Sequence, residues 1–65
     1  MGIQVNGEMR QVASATITDL LREIGLAERK VAVERNLEIV PRSQYATTLL
    51  ADGDAIEIVH FIGGG

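Results

Sequence analysis

The sequence predicts an α+β fold, with one main helix laid on one face of a mixed sheet of four to five strands. Three observations predict it. Ile3-Gln4-Val5 alternates and runs into Asn6-Gly7, a pair that tolerates the positive φ of a tight hairpin turn. Ile17, Leu20, Leu21 and Ile24 recur at helical spacing and form one apolar stripe. Residues 55–61 form a late, largely apolar strand, set off by the turn residues Asp52-Gly53-Asp54.

A second strand over residues 8–13 returns antiparallel to the first. Met9 and Val12 cannot share one face of a regular strand, so a bulge or a three-residue loop is expected there. Thr16 is placed to cap the helix, with Asp19 at capping-box spacing in place of the usual Glu or Gln. Gly25 is expected at the left-handed position that ends it, with Leu26 as the accompanying apolar contact. Val31-Ala32-Val33-Glu34-Arg35 reads as a third strand, Asn36-Leu37 as a turn, and Glu38-Ile39-Val40 as a short fourth strand. Pro41 lacks an N–H and stops that strand. Ser43 is expected to cap a short helical turn through Gln44, Tyr45 and Ala46, and Leu49-Leu50 to add core contacts. In the last strand Ile56, Ile58 and His60 alternate with Ala55, Glu57, Val59 and Phe61. The helix covers one face of that strand and leaves Val59 and Phe61 on the other. A hairpin, a crossing helix and a final strand between the earlier ones make a β-grasp, the ubiquitin-like roll.

Composition narrows the function. A chain of 65 residues makes one small domain, which buries only about 60 % of its unfolded surface. With one Tyr, one Phe and no Trp, the core is aliphatic, and little interior remains for an enclosed active site. There is no cysteine, which excludes disulfides, zinc–thiolate sites and thiol catalysis and suits a reducing cytoplasm. No stretch is long and apolar enough for a membrane span, and no signal peptide or acylation motif is expected at the start. Net charge is −3 with scattered Lys and Arg, so nucleic-acid binding is not expected. Asp52 and Asp54 do not continue into a calcium-loop pattern and read as a turn. His60 is the only histidine and reads as packed or surface. Tyr45 is expected beside Pro41. Arg42 reads as a solvated charge, with a partner's acid as the alternative. No catalytic residue and no metal ligand set is assigned.

The chain ends on Gly63-Gly64-Gly65, directly after an apolar strand. Glycine loses the most freedom on ordering and packs nothing, so this tail adds no stability. The division is a body over residues 1–62 and a flexible tail over residues 63–65. Such a tail extends about 10 Å and passes through a narrow channel. Ordering it costs about 1–2 kcal/mol per residue, so its docking needs contacts on the body. Val59, Phe61 and Ile62 are the candidates for that surface.

The chain resembles the ThiS family of sulfur carriers over essentially its full length. The resemblance rests on Ile3-Gln4-Val5-Asn6-Gly7-Glu8, Thr16-Ile17-Thr18-Asp19-Leu20-Leu21, Val31-Ala32-Val33-Glu34, Ile39-Val40-Pro41-Arg42-Ser43, Asp52-Gly53-Asp54, Ile56-Glu57-Ile58-Val59 and the terminal glycines. It implies a cytoplasmic protein, monomeric when free, that is a co-substrate and not an enzyme. Gly65 is implied as the sulfur-carrying residue. An adenylyltransferase of ThiF type, related to ubiquitin-activating enzymes, adenylates its carboxylate with ATP, and the carrier itself binds no cofactor. Sulfur from a persulfide donor then makes a thiocarboxylate, and a thiazole synthase of ThiG type accepts it for the thiazole of thiamine. Gly63 and Gly64 are implied as the tail entering those partners. One departure is Asn36-Leu37, where the family commonly has a second Asn-Gly. Leu does not take positive φ cheaply, so this turn is expected to differ locally. Two other readings share the fold: a carrier for molybdopterin, cysteine or tRNA thiolation, and a ubiquitin-like modifier or interaction module.

Overall fold

A computed structural model of the chain describes residues 1–61. Ile62, Gly63, Gly64 and Gly65 lie outside the described residues, and with them the boundary between body and tail. The elements are β1 (Gly2–Val5), β2 (Glu8–Gln11), α1 (Ile17–Glu23), β3 (Val31–Arg35), β4 (Glu38–Val40), a 3-10 turn (Arg42–Gln44) and β5 (Ala55–His60). They build one five-stranded sheet in the order β2-β1-β5-β3-β4. β5 is central, parallel to β1 and antiparallel to β3, and the two outer pairs are antiparallel hairpins. This is the β-grasp topology.

The helix forms where its local signals stand. Thr16 Oγ1 accepts from the Asp19 N–H at 3.2 Å. The next orphan donors of the first turn are satisfied from outside: Ile17 N–H donates to Thr48 C=O and Thr18 N–H to Tyr45 C=O. At the other end Gly25 takes φ +82°, its N–H donates to Arg22 C=O, and Leu26 N–H donates to Leu21 C=O at 2.7 Å. These two bonds are the Schellman pair. Ile17, Leu20 and Leu21 are buried, and Ile24 and Leu26 pack at the margin.

The helix stripe meets Ile3 and Val5 of β1, Val31 and Val33 of β3, and Ile56 and Ile58 of β5 in a single core. Each of these strand residues lies at the alternate position of its strand, as a sheet covered on one face requires. Tyr45 completes the core and donates its hydroxyl to Val31 C=O at 3.4 Å. It lines a groove together with Pro41.

Four expectations are corrected. β2 ends at Gln11 and carries no bulge, because Val5 pairs with Glu8 across a two-residue turn. Met9 is exposed on the strand, whereas Val12 lies beyond it and turns into the core, so the two never compete for one face. Ser43 does not cap; Pro41 is the residue before the 3-10 turn, and no side chain bonds there. Leu49 is exposed while Leu50 is buried, since Leu49 bridges to Thr16 through its backbone and turns its side chain outward. Leu37 adopts φ +71° after Asn36 at +51°, so the turn keeps the left-handed geometry that its sequence argues against.

Candidate functional site

β5 is the strand that leads into Ile62-Gly63-Gly64-Gly65, and the fold holds it from both sides. Asn6, in the β1–β2 turn, donates its backbone N–H to Ile56 C=O at 2.9 Å. Its side chain then imitates another strand residue: Oδ1 accepts from Ile58 N–H at 2.7 Å and Nδ2 donates to Ile58 C=O at 3.1 Å. Asn36, in the β3–β4 turn, does the like on the opposite side. Its N–H donates to Ala55 C=O at 2.8 Å, and its Oδ1 accepts from Ala55 N–H at 2.9 Å. Asn36 Nδ2 donates to Asp54 Oδ1 at 3.0 Å.

Asp54 is the hub of that second clamp and is only 5 % exposed. Its carboxylate accepts from Arg35 Nε at 2.8 Å and from Ala51 N–H at 2.8 Å, besides Asn36. Burial disfavours the charged carboxylate. The hydrogen bonds from Arg35, Asn36 and Ala51, with the Arg35 charge, outweigh that penalty and hold the pKa below its ordinary value. The same turn is tied to β1, through Gly2 N–H to Asp52 Oδ1 and Gln4 N–H to Asp54 C=O.

The outer face of the sheet, away from the helix, carries the side chains singled out for docking. Val59 is 60 % exposed and Phe61 46 %. Ile39 of β4, which was not singled out, is 66 % exposed on the same face. Ala32 lies between them, paired with Val59. Gly63, Gly64, Gly65 and Ile62 lie outside the described residues. His60 is exposed at the end of β5, beside a shallow groove shared with Asn6, Glu8 and Arg10. Arg42 is exposed and borders two hollows on the side of the 3-10 turn, with Lys30. Among the described residues no three His, Asp or Glu side chains are grouped to hold a metal ion.

The clamp residues Asn6, Asn36, Asp54 and Arg35 are the ones that sequence reasoning passed over, having read them as turn and strand residues. A signal did exist. An Asn-Leu turn keeps the residue whose side chain matters and drops the glycine that would ease the backbone, which suggests that the Asn is there for its amide.

Fold and site together define a β-grasp protein of the ubiquitin-like class, whose clamped central strand leads into a glycine tail. The chain belongs to the ThiS family, whose model matches residues 3–65. It is similar to the sulfur carrier protein ThiS of Bacillus subtilis, 45 % identical over 65 residues that cover 97 % of this chain and 98 % of that one. The crystal structure of the thiamine biosynthesis protein ThiS from Geobacter metallireducens matches it with a TM-score of 0.84 and 38 % identity, covering the whole of both chains. It is also 59 % identical over 66 residues to a thiazole synthase of Paramagnetospirillum magneticum. That match takes in the whole of this chain, yet the chain spans only 20 % of that protein's length, as it does for a second thiazole synthase.

Proposed function

We propose that this chain is a sulfur carrier of thiamine biosynthesis and that the α-carboxyl of Gly65 bears the sulfur. The observation that carries the reading is the match, over nearly the full length of both chains, to proteins named as ThiS sulfur carriers. The β-grasp body and the open face at its tail end support the same role.

The chemistry needs little from the chain itself. An α-carboxyl has a pKa of roughly 3.3–3.7 and is an anion near neutral pH, resistant to nucleophiles. An activating enzyme joins one carboxylate oxygen to the α-phosphorus of ATP and releases pyrophosphate. The carbonyl carbon is then electrophilic, with AMP as leaving group. The terminal sulfur of a persulfide donor attacks that carbon and expels AMP. A second thiol then attacks the donor's sulfur, forming a disulfide with it and expelling the thiocarboxylate on Gly65. The carrier acts as a co-substrate, and ATP is bound by the partner. Gly63 and Gly64 give the reacting carbon clearance, while Val59, Phe61 and Ile62 belong to the docking surface. The acceptor is a thiazole synthase, a choice supported by thiazole synthases that hold a similar segment within their own chains. The reading assigns the work to the cytoplasm, where ATP and persulfide sulfur are at hand. Among the described residues no helix is long and apolar enough to cross a membrane.

The test is intact-mass measurement after incubation with the activating enzyme, ATP and a persulfide donor. Replacement of one terminal oxygen by sulfur is expected. Free acid alone under those conditions refutes the reading. Deleting Gly65 is expected to abolish the modification and leave the circular dichroism spectrum unchanged.

A further inference from the structure

Charge is laid out in rows along the outer face of β3 and β5. The register pairs Glu34 with Glu57 and Ala32 with Val59. Continuing it by two residues sets Lys30 opposite Phe61, and Phe61 N–H donates to Lys30 C=O at 3.2 Å. Alternation keeps these three rows on one face. That face is therefore doubly acidic at one end, apolar in the middle, and basic at the end where Phe61 leads into residues 62–65. Arg42 reinforces the basic end, sharing with Lys30 and Phe61 a groove of about 470 Å³. Arg29 joins Lys30 and Arg42 around an adjoining hollow of about 300 Å³, where Glu28 is the one acid among three cations. Half of the chain's six Lys and Arg are thus gathered in a protein of net charge −3. Among the described residues, Arg22 and Arg35 have carboxylates within 4.0 Å, whereas Arg29, Lys30 and Arg42, and Arg10 on the far edge strand, have none.

Residues 62–65 follow Phe61 in the chain, so a protein that takes them in comes within a few residues' reach of this end. Covering Lys30 and Arg42 removes their water, which is strongly unfavourable for a cation left without a counter-charge. Glu34 facing Glu57 is a like-charge pair, unfavourable in the free sheet and relieved by an approaching cation. We propose that the activating enzyme that receives the tail carries carboxylates at the mouth of its tail site. They seat against Lys30 and Arg42, with apolar contact over Phe61 and Val59 and positive charge facing Glu34 and Glu57. The charge order fixes the direction of docking, since a reversed approach sets acid on acid at one end and base on base at the other. The proposal rests on the tail-transfer reading. A second copy of this chain, laid antiparallel, also matches charge to charge and is the competing occupant.

The experiment measures binding of the intact chain to the activating enzyme by calorimetry at low and moderate salt, alongside sedimentation of the free chain. Lys30→Glu with Arg42→Glu is expected to weaken binding on the order of tenfold per charge and to flatten its salt dependence. Glu8→Gln, on the far edge strand, is expected to leave binding unchanged. Lys30 and Arg42 are exposed, and a thermal melt shows whether the double variant is folded. Wild-type affinity in the folded double variant overturns the proposal. A wild-type dimer dissolved by the double variant overturns it in favour of the second copy. Weakened binding by the double variant, with wild type that binds yet gains no sulfur, upholds the charge requirement and refutes the carrier chemistry alone. Absence of wild-type binding overturns both.

Discussion

The Asn6-Gly7 turn joins β1 to β2, the Asn36-Leu37 turn joins β3 to β4, and both place two successive residues at left-handed φ. Both asparagines sit at φ +51°, with +83° next at Gly7 and +71° at Leu37. Both send a backbone N–H and a side-chain amide into β5, from opposite sides. They differ in the group behind the asparagine and in the residue after it. Asn6 reaches only backbone, whereas Asn36 also holds the buried Asp54. Gly7 takes its angle freely, whereas Leu37 takes it as an L-residue, 88 % exposed, at a cost of about 1–2 kcal/mol. The second turn is thus held in a locally unfavourable shape by contacts to β5 and Asp54. Its geometry is set by what it grips, and the first turn is set equally well by its own sequence.

The two turns differ most in what they lose at Asp54. Asp54→Ala leaves the Asn36 amide, the Ala51 N–H and the Arg35 guanidinium without their acceptor. The expected loss is about 2–3 kcal/mol, a fall in Tm of roughly 10–20 °C for a domain this small. Acid reaches the same group. Its folded pKa is depressed, so its stabilisation is fully present above the unfolded value of 3.8 and is lost as pH falls through the folded pKa. Urea melts of wild type at descending pH should lose stability below about pH 4. Asp54→Asn should be less stable at neutral pH and should fall less steeply with acid.

Next in size are the asparagines themselves. Asn6→Ala and Asn36→Ala each remove two side-chain hydrogen bonds and leave alanine at positive φ, costing about 2 kcal/mol apiece. Amide exchange separates them. Asn6→Ala should speed exchange at Ile58, near the tail, and Asn36→Ala at Ala55, at the start of β5. Equal acceleration along the whole strand would show that the clamps act as one. The smallest effect has the opposite sign. Leu37→Gly relieves the strained angle at an exposed position and should stabilise by about 0.5–1 kcal/mol, less than the full strain because glycine is freer when unfolded. A loss of stability there would mean that the leucine side chain holds contacts that offset its backbone.

Where the cause of a feature lies within a few residues, it can be read from the chain. The Thr16 cap, the stripe of Ile17, Leu20 and Leu21, and the Gly25 stop arise from neighbours three to four apart. The strands and their order come from alternation, two hairpin turns and one crossing helix. Exposure of Val59 and Phe61 follows from strand alternation, since Ile56 and Ile58 face the helix. The failures have the opposite character. Nothing local says that Leu50 turns inward and Leu49 outward, since the choice is made by the backbone bridge to Thr16. Nothing near Ser43 says that Pro41 will stand in its place. Val12 enters the core only because β2 has already ended.

The sequence by itself determined the β-grasp order, the aliphatic core, the capped helix and a glycine tail placed after the last strand, because each is a matter of spacing, propensity or composition. Only the tertiary structure decided that Asn6 and Asn36 grip β5 from two sides, that Asp54 anchors one of those grips, and that Lys30 and Arg42 flank Phe61. Asn36 lies 18 positions from Asp54, and Asn6 lies 52 from Ile58. Strand register alone brings such residues together. A hydrogen bond or an ion contact over that separation leaves no mark on the residues between.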